Sequence, residues 1–114
     1  MAVTIAYASG TVTNAAVGTE NTLGSDPITD DGVFVLWVDL SAMNGGDEVE
    51  LAIYEKVASA GTQRLVKKFS FADAQNEPHF TSPGFVLGHG WKMTLKLVAG
   101  AGTEDFDWRV DRIA

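Results

Sequence analysis

The sequence Val-Phe-Val-Leu-Trp-Val-Asp-Leu, residues 33–40, contains seven apolar residues out of eight. They occupy both odd and even positions, and only Asp39 interrupts them. Because successive side chains of a β-strand point to opposite faces, a strand with this pattern must be covered on both sides. Three valines and two aromatic residues in a run this short favour a strand over a buried helix. The core of the domain covers one face of this strand, and what covers the other face bears on function.

Length and composition predict one domain that spans residues 1–114 of the 114-residue chain. The absence of cysteine excludes disulfides and thiolate metal sites. The N-terminal segment lacks the basic and continuous apolar parts of a secretory signal, and no apolar run approaches the ~18 residues of a transmembrane helix. We therefore expect a soluble protein that is made in a cytoplasm and has no membrane partner.

The charge distribution argues against direct binding to nucleic acid. The formal net charge is −7, and all eight basic residues lie at or after Lys56. A nucleic-acid-binding protein needs clustered positive charge to displace counterions from phosphates. The one adjacent basic pair, Lys67 and Lys68, would point to opposite faces of a strand. The negative charge therefore favours solubility rather than a nucleic-acid partner.

Segments of alternating apolar residues predict seven or eight strands, beginning with residues 3–8. Residues 9–31 are rich in Gly, Thr, Asn, Ser and Asp and predict an irregular, loop-rich N-terminal arm, with short strands near 11–13 and 19–23. After the central strand, the predicted strands cover 48–57, 62–72, 85–87, 91–98 and 104–113, and the connection at 41–47 contains an Asn-Gly-Gly turn signal. Alternation predicts that ten apolar residues of the central strand and of these strands face inward, namely Leu36, Val38, Leu40, Val49, Leu51, Ile53, Trp91, Met93, Leu95 and Leu97. Strands spaced by about 8–12 residues are typical of a sandwich or small barrel. The predicted fold is an all-β, antiparallel β-sandwich, with the jelly roll as one arrangement of it.

Within the 62–72 segment the apolar positions change parity between Val66 and Phe69. An extra residue in one strand of an antiparallel pair produces such a change. The sequence therefore predicts a β-bulge near Lys67 and Lys68.

A candidate protein interface follows from pairing the central strand with residues 48–57. Matching of apolar faces sets strand register, and here it pairs Leu40 with Val49, Val38 with Leu51 and Leu36 with Ile53. Trp37 then lies opposite Ala52, and Val35 lies opposite Tyr54. Exposed apolar patches usually mark contact surfaces, and this one would consist of Val33, Val35, Trp37, Ala52 and Tyr54. The alternative is that the N-terminal arm covers the patch within one subunit.

The residues able to carry chemistry do not form a recognisable catalytic or metal-binding pattern. His79 and His89 lie in predicted loops, and a metal or acid–base role would need converging partners. The carboxylates at 26, 30 and 31 lack the spacing and the closing Glu of an EF-hand, so turn chemistry explains them better. Those at 105, 107 and 111 share one strand face, which is more typical of a solvated edge than of a glycosidase pair. We predict no catalytic, cofactor-binding or metal-binding residues, no cofactor and no enzymatic activity.

Three segments resemble small structural proteins of tailed bacteriophages. The first segment is Gly-Val-Phe-Val-Leu-Trp-Val-Asp-Leu-Ser-Ala-Met-Asn-Gly-Gly-Asp-Glu-Val-Glu-Leu-Ala-Ile-Tyr-Glu-Lys at 32–56. The later segments are Gly-Phe-Val-Leu-Gly-His-Gly-Trp-Lys-Met-Thr-Leu-Lys-Leu-Val-Ala-Gly at 84–100 and Phe-Asp-Trp-Arg-Val at 106–110. The resemblance covers roughly residues 32–112 and includes no catalytic signature.

Such proteins include capsid cement or decoration proteins, β-sandwiches that bind the outside of an assembled head. The resemblance implies a non-enzymatic virion protein on the outer capsid surface, made in the cytoplasm of a bacterial host. Its partners would be the major capsid protein and further copies of itself, as a dimer or trimer. One alternative is a tail or head–tail connector component. The other is a carbohydrate-binding module in which Trp37 and Tyr54 stack on sugars.

Overall fold

Nine β-strands and the loops between them make up the protein in a computed structural model that describes residues 2–114. The strands are β1 (Val3–Val12), β2 (Glu20–Thr22), β3 (Gly32–Asp39), β4 (Glu48–Glu55), β5 (Arg64–Ala72), β6 (His79–Thr81), β7 (Phe85–Leu87), β8 (Lys92–Ala99) and β9 (Phe106–Ile113). Across these residues there is no helix long and apolar enough to cross a membrane.

The strands form two antiparallel sheets. Sheet A has the order β1-β9-β3-β6, with β7 also pairing with β3, and sheet B has the order β2-β8-β4-β5. Along the chain, β1 pairs with β9, β2 with β8, β3 with β6 and β7, and β4 with β5. The chain is thus one long hairpin, closed by the loop at 56–63 and rolled into two layers. This nested pairing is the jelly-roll arrangement, and it confirms the predicted all-β, antiparallel sandwich.

The core lies between the sheets, where the alternation of each strand directs its apolar residues. In β3, Phe34, Leu36 and Val38 are buried, while the residues between them are only half-buried. Sheet B contributes the buried apolar residues Val49, Leu51, Ile53, Met93, Leu95 and Leu97. Trp91 is fully buried, and its ring centroid lies 4.3 Å from that of Phe34. The inward faces predicted for residues 36–40, 49–53 and 91–97 are confirmed.

The predicted pairing of the central strand with residues 48–57 was wrong. β3 pairs with β9, β6 and β7 in sheet A, whereas β4 lies between β8 and β5 in sheet B. Residues 40–47, with their Asn-Gly-Gly turn, cross from one sheet to the other instead of closing a hairpin. Asp47 stabilises this crossing because its Oδ2 accepts the N–H of Asn44 at 2.8 Å. Alternation fixes which face of a strand is buried, but it does not identify the neighbouring strand.

The predicted N-terminal arm, residues 9–31, is more regular and more buried than its composition indicates. β1 continues to Val12, and a short strand at 20–22 confirms the one predicted near 19–23. Ala15, Leu23 and Ile28 are buried in the sandwich core. The arm therefore fills the core and does not cover the outer face of β3.

The strand count exceeds the prediction because the strand that returns along β3 is divided in two. β6 pairs with Trp37–Asp39 and β7 pairs with Gly32–Phe34, and Ser82, Pro83 and Gly84 separate them. Proline cannot donate a ladder hydrogen bond. The Ser82 hydroxyl compensates at this gap by accepting the N–H of Leu36 at 2.9 Å. Residues 79–81 had been expected to form a loop.

The bulge predicted near Lys67 and Lys68 is confirmed, one residue earlier. The register of β4 and β5 shifts between Ile53, which lies opposite Lys67, and Tyr54, which lies opposite Leu65. Val66 is the extra residue in the bulge. The parity change in the sequence is therefore the direct result of one unpaired residue.

Candidate interaction surface

The outer face of sheet A carries a row of apolar side chains that crosses four strands. Val3 lies opposite Ile113, Ile113 opposite Val33, and Val33 opposite Val86. Residues directly opposite one another in antiparallel strands share a face, with Cβ atoms about 4.5–5.5 Å apart. Val86 is 82% exposed and Val3 57% exposed, while Val33 and Ile113 are half-buried. With Val35 on the same face of β3, these residues form what we call the apolar face.

Next to the apolar face, the outer side of sheet A carries two charged side chains, Asp111 and Arg109, which form an ion pair with each other. Val35 lies opposite Asp111, which is 8% exposed and accepts the N–H of Ala6 at 2.9 Å. Arg109 pairs with Asp111, with Nε 3.2 Å from Oδ1. The Arg109 guanidinium also lies over the Trp37 ring, 4.6 Å from its centroid. Trp37 therefore continues the apolar face and is partly covered by an arginine of its own sheet.

Beyond Trp37, a shallow cleft of ≈ 260 Å³ lies at the end of the outer side of sheet A. The residues that line it include Asp39, His79, Asp107 and Arg109. His79 Nε2 lies 3.7 Å from Asp39 Oδ2. Hydrogen bonds from Ser41, together with the neighbouring His79, hold the pKa of Asp39 below its ordinary value. The outer side of sheet A thus changes from apolar at one end to charged at the other.

The five predicted interface residues do not form one patch. Val33, Val35 and Trp37 lie on the outer side of sheet A, but Ala52 and Tyr54 belong to β4 and lie on the outer side of sheet B. They were grouped because β3 and β4 were assumed to be neighbours. Ala52 is 3% exposed and lies between Thr94 and Lys68 of the adjacent strands. The role of the three β3 residues in binding a partner stays a prediction.

The outer side of sheet B is polar, and Tyr54 is part of its hydrogen-bond network. The Tyr54 hydroxyl donates to Glu20 Oε2 at 2.7 Å, and the Thr94 hydroxyl donates to the same oxygen at 2.9 Å. Lys92 Nζ lies 5.0 Å from the centroid of the Tyr54 ring. Lys68 and Glu50 form an ion pair at 3.8 Å on the same side. This surface has the composition of a solvated face rather than of an interface core.

The network on sheet B shifts the pKa values of both its acidic members. The hydrogen bond to Glu20 and partial burial raise the pKa of Tyr54 to about 12. Burial by itself raises the pKa of Glu20, but the hydrogen bonds from Tyr54 and Thr94 and the charges of Lys92 and Lys96 outweigh it. The pKa of Glu20 therefore lies below its ordinary value, and the carboxylate is ionised at neutral pH.

The acidic residues around β9 hold the first strand in place. Asp107 Oδ1 accepts the Thr11 hydroxyl at 2.6 Å, and Asp105 Oδ1 accepts the N–H of Asn14 at 2.8 Å. With the bond from Ala6 to Asp111, each of the three carboxylates contacts β1 or the residues just after it. They were expected to form a solvated edge, and their structural role was not apparent from the sequence.

The other polar candidates have structural partners. The Tyr7 hydroxyl donates a hydrogen bond of 2.6 Å to Asp30 Oδ2. Lys92 Nζ lies 3.6 Å from Asp26 Oδ2. The Arg112 side chain donates through Nε to the backbone carbonyl oxygen of Asp31. His89 is linked through its backbone N–H to Glu55. Among residues 2–114, no group of three or more His, Cys, Asp or Glu residues is placed to hold a metal ion.

Three members of the apolar face were missed at the sequence level, namely Val3, Val86 and Ile113. Ile113 shares the parity of Asp107 and Asp111, which were assigned to a solvated edge, so its exposure was available from alternation. Val86 is the middle residue of a three-residue strand, which is too short for alternation to be evident. Their contact with Val33 depends on the order of strands in sheet A, which the sequence did not provide.

Comparisons with known proteins identify no family for this chain. No protein-family model matches the chain, and no curated protein matches it. One similar solved structure comes from work on Bacillus endospore appendages, described as a novel family of disulfide-linked pili. It shares 12% sequence identity, with 96% of this chain and 87% of that chain covered, at a TM-score of 0.48. No functional conclusion follows from similarity at that level.

Proposed function

We propose that this protein is a non-enzymatic structural protein of a tailed-bacteriophage virion, and that it acts as a head cement or decoration protein. The observation that carries the structural part of the proposal is the apolar face, a row of side chains on the outside of a sheet that has no layer over it. Contiguous exposed apolar residues on a compact domain usually mark a binding surface for another protein. The sequence resemblance supplies the phage context.

Other features of the molecule support a shell-binding role. The two sheets of the jelly roll share one continuous core, and viral capsid domains are among the proteins that have this arrangement. The chain has no cysteine, so its contacts with a shell do not include disulfides. Multivalent attachment across a lattice makes individually weak contacts effective. The major capsid protein is accordingly the proposed partner, and the outer capsid surface the proposed location.

The carbohydrate-binding alternative loses its main support. It required Trp37 and Tyr54 to present their rings to one sugar chain. These residues lie on opposite sides of the sandwich, and each ring is already approached by a cationic side chain of the protein. The tail or head–tail connector alternative is not affected by this geometry.

Binding to phage heads tests the proposal directly. The protein is mixed with undecorated heads and sedimented, beside a Val86→Asp variant that places a charge in the apolar face. We expect the wild-type protein to sediment with heads and Val86→Asp to bind at least about tenfold more weakly, because a buried unpaired charge is costly. Val17→Asp is the matched control, since this half-exposed valine pairs with Leu97 of sheet B.

Three outcomes would contradict the proposal. The wild-type protein could fail to sediment with heads, or Val86→Asp and Val17→Asp could bind equally well. Ring assembly without binding to heads would favour a connector or tail component instead.

A further inference from the structure

We propose that two copies of this chain associate through β1, edge to edge and antiparallel, so that the two A sheets form one continuous sheet of ten strands. The inference concerns the protein alone and does not depend on binding to a phage head. It starts from the way in which each edge of the two sheets is protected.

Three of the four sheet edges carry recognised protection against pairing with another chain. At one edge of sheet B, β2 is only three residues long. At one edge of sheet A, β6 and β7 are also only three residues long each. β5, at the other edge of sheet B, is longer but carries Arg64, Lys67, Lys68 and a bulge. Short strands, basic side chains and bulges are the usual devices that prevent edge-to-edge association.

β1 at the remaining edge lacks most of this protection. It is ten residues long, seven of them exposed, and it carries no charged side chain or proline. Its one irregularity lies between Thr4 and Ala8, which leaves Ala8–Val12 in unbroken register with β9. Within residues 2–114, β1 is hydrogen-bonded to no strand except β9. In Ala8–Val12, alternate backbone N–H and C=O groups therefore point away from β9 and the rest of the sheet.

Charge indicates that the occupant of this edge is a second copy of the chain. The net charge is −7, so two copies repel each other over most of their surfaces. The first nineteen residues contain no charged side chain, and all fifteen acidic residues lie at or after Glu20. An uncharged strand is also self-complementary, which is what a two-fold interface between identical chains requires. β1 itself thus brings no charged side chain to the junction, and the carboxylates nearest to it already accept hydrogen bonds from groups of their own chain.

The geometry of such a pair has a consequence for the apolar face. Identical antiparallel strands in one sheet are related by a two-fold axis perpendicular to that sheet, so both copies present the same side. The two apolar faces would then lie on one side of the dimer. Val3, in β1 itself, brings each apolar face to the strand that forms the junction.

Analytical ultracentrifugation of the full chain, without heads, tests the proposal with two matched variants. Ser9 and Ser70 are both exposed serines on the edge strands β1 and β5. We expect a wild-type dimer that dissociates on dilution. Ser9→Glu should raise its Kd at least about tenfold, since like charges would face each other at the junction. Ser70→Glu should leave the Kd unchanged.

Two further measurements separate a lost interface from a lost fold. Near-UV circular dichroism should be the same for wild type and Ser9→Glu, because the new carboxylate lies opposite Arg109. In the wild type, hydrogen exchange of the Ala8–Val12 amides should slow as the protein concentration rises, whereas exchange in β5 should not change.

The proposal is overturned if the wild type remains monomeric at every soluble concentration, since β1 would then be free or reserved for a different chain. Equal dissociation constants for the two serine variants would also overturn it. A dimer that is lost in Val86→Asp but kept in Ser9→Glu would assign the contact to the apolar face. Because no heads are present, failure here is distinguishable from failure of the proposed virion function.

Discussion

Gly32 begins β3, and the backbone conformation there is one that other residues rarely adopt. Its φ is +145°, and a Cβ added at this position would lie 2.8 Å from the backbone carbonyl oxygen of Ile113. That oxygen belongs to β9, the strand that pairs with β3, so it cannot move without disturbing the sheet. A single hydrogen atom in place of a side chain thus allows the central strand to start beside its partner.

Replacing Gly32 with alanine should therefore destabilise the protein by about 1–3 kcal/mol, through backbone strain and the close contact. The free energy of unfolding in urea measures the effect. Gly45→Ala serves as the control, because a Cβ at Gly45 meets nothing within 4 Å. If both variants unfold at the same urea concentration, the close approach of β3 to β9 does not require a glycine at position 32.

At the scale of elements, β1 depends on hydrogen bonds from the side chains around β9 as well as on its ladder. Ala6 has a φ of 53°, within the irregular part of β1, and its N–H is accepted by Asp111. Residues with such conformations persist where their surroundings hold them in place. Asp111 does so while it pairs with Arg109 and lies almost entirely buried.

Asp111→Ala should loosen β1 before the rest of the sandwich. A partly buried hydrogen bond to a charged group contributes about 1–3 kcal/mol, so hydrogen exchange should accelerate in β1 far more than in β4 and β8. Asp111→Asn keeps an acceptor for Ala6 but loses the charge beside Arg109, and we expect an intermediate effect. Exposed Glu77, in the loop before β6, provides a neutral control as Glu77→Ala. Uniform acceleration throughout both sheets would contradict a local role for Asp111.

Most strands could be predicted from the sequence, but their neighbours could not. Period-two alternation placed Leu51 and Met93 in the core, and the parity change after Val66 located a bulge. Alternation is a property of one strand, and β3 would bury Leu36 and Val38 whether it paired with β4 or with β9. The Asn-Gly-Gly turn after β3 favoured the first choice. The prediction was wrong in placing Ala52 and Tyr54, the two residues that this choice supplied, in one patch with the β3 residues.

For the whole molecule, the two tyrosines of the chain report on both sheets at once. Tyr7 lies in β1, and burial together with its hydrogen bond to Asp30 raises its pKa to about 12. Tyr54 lies in sheet B, and its pKa is also raised to about 12. The folded protein therefore retains both phenol protons at a pH where the unfolded chain, with pKa values near 10.0, releases them.

The stability contributed by these protons is fully present below pH 10.0 and is lost as the pH rises towards 12. Phenolate absorbance of the folded protein should accordingly remain low near pH 10.0, whereas urea-unfolded protein should show the ordinary tyrosine titration. In Tyr54→Phe, the loss of stability over this range should be roughly half as large, since one group remains. A folded-state midpoint near 10.0 for both tyrosines would refute the expected shifts.

The pairing of the chain ends has a mechanical consequence. Ala2 and Ala114 exchange backbone hydrogen bonds of 3.3 and 3.0 Å at the end of the β1–β9 ladder. A force that pulls these two ends apart acts across the strands and loads their hydrogen bonds one after another, as in opening a zipper. A force directed along the strands instead shears the ladder and loads many hydrogen bonds together. The molecule would therefore resist shear along its strands, whereas it would peel open at low force if it were pulled apart at Ala2 and Ala114.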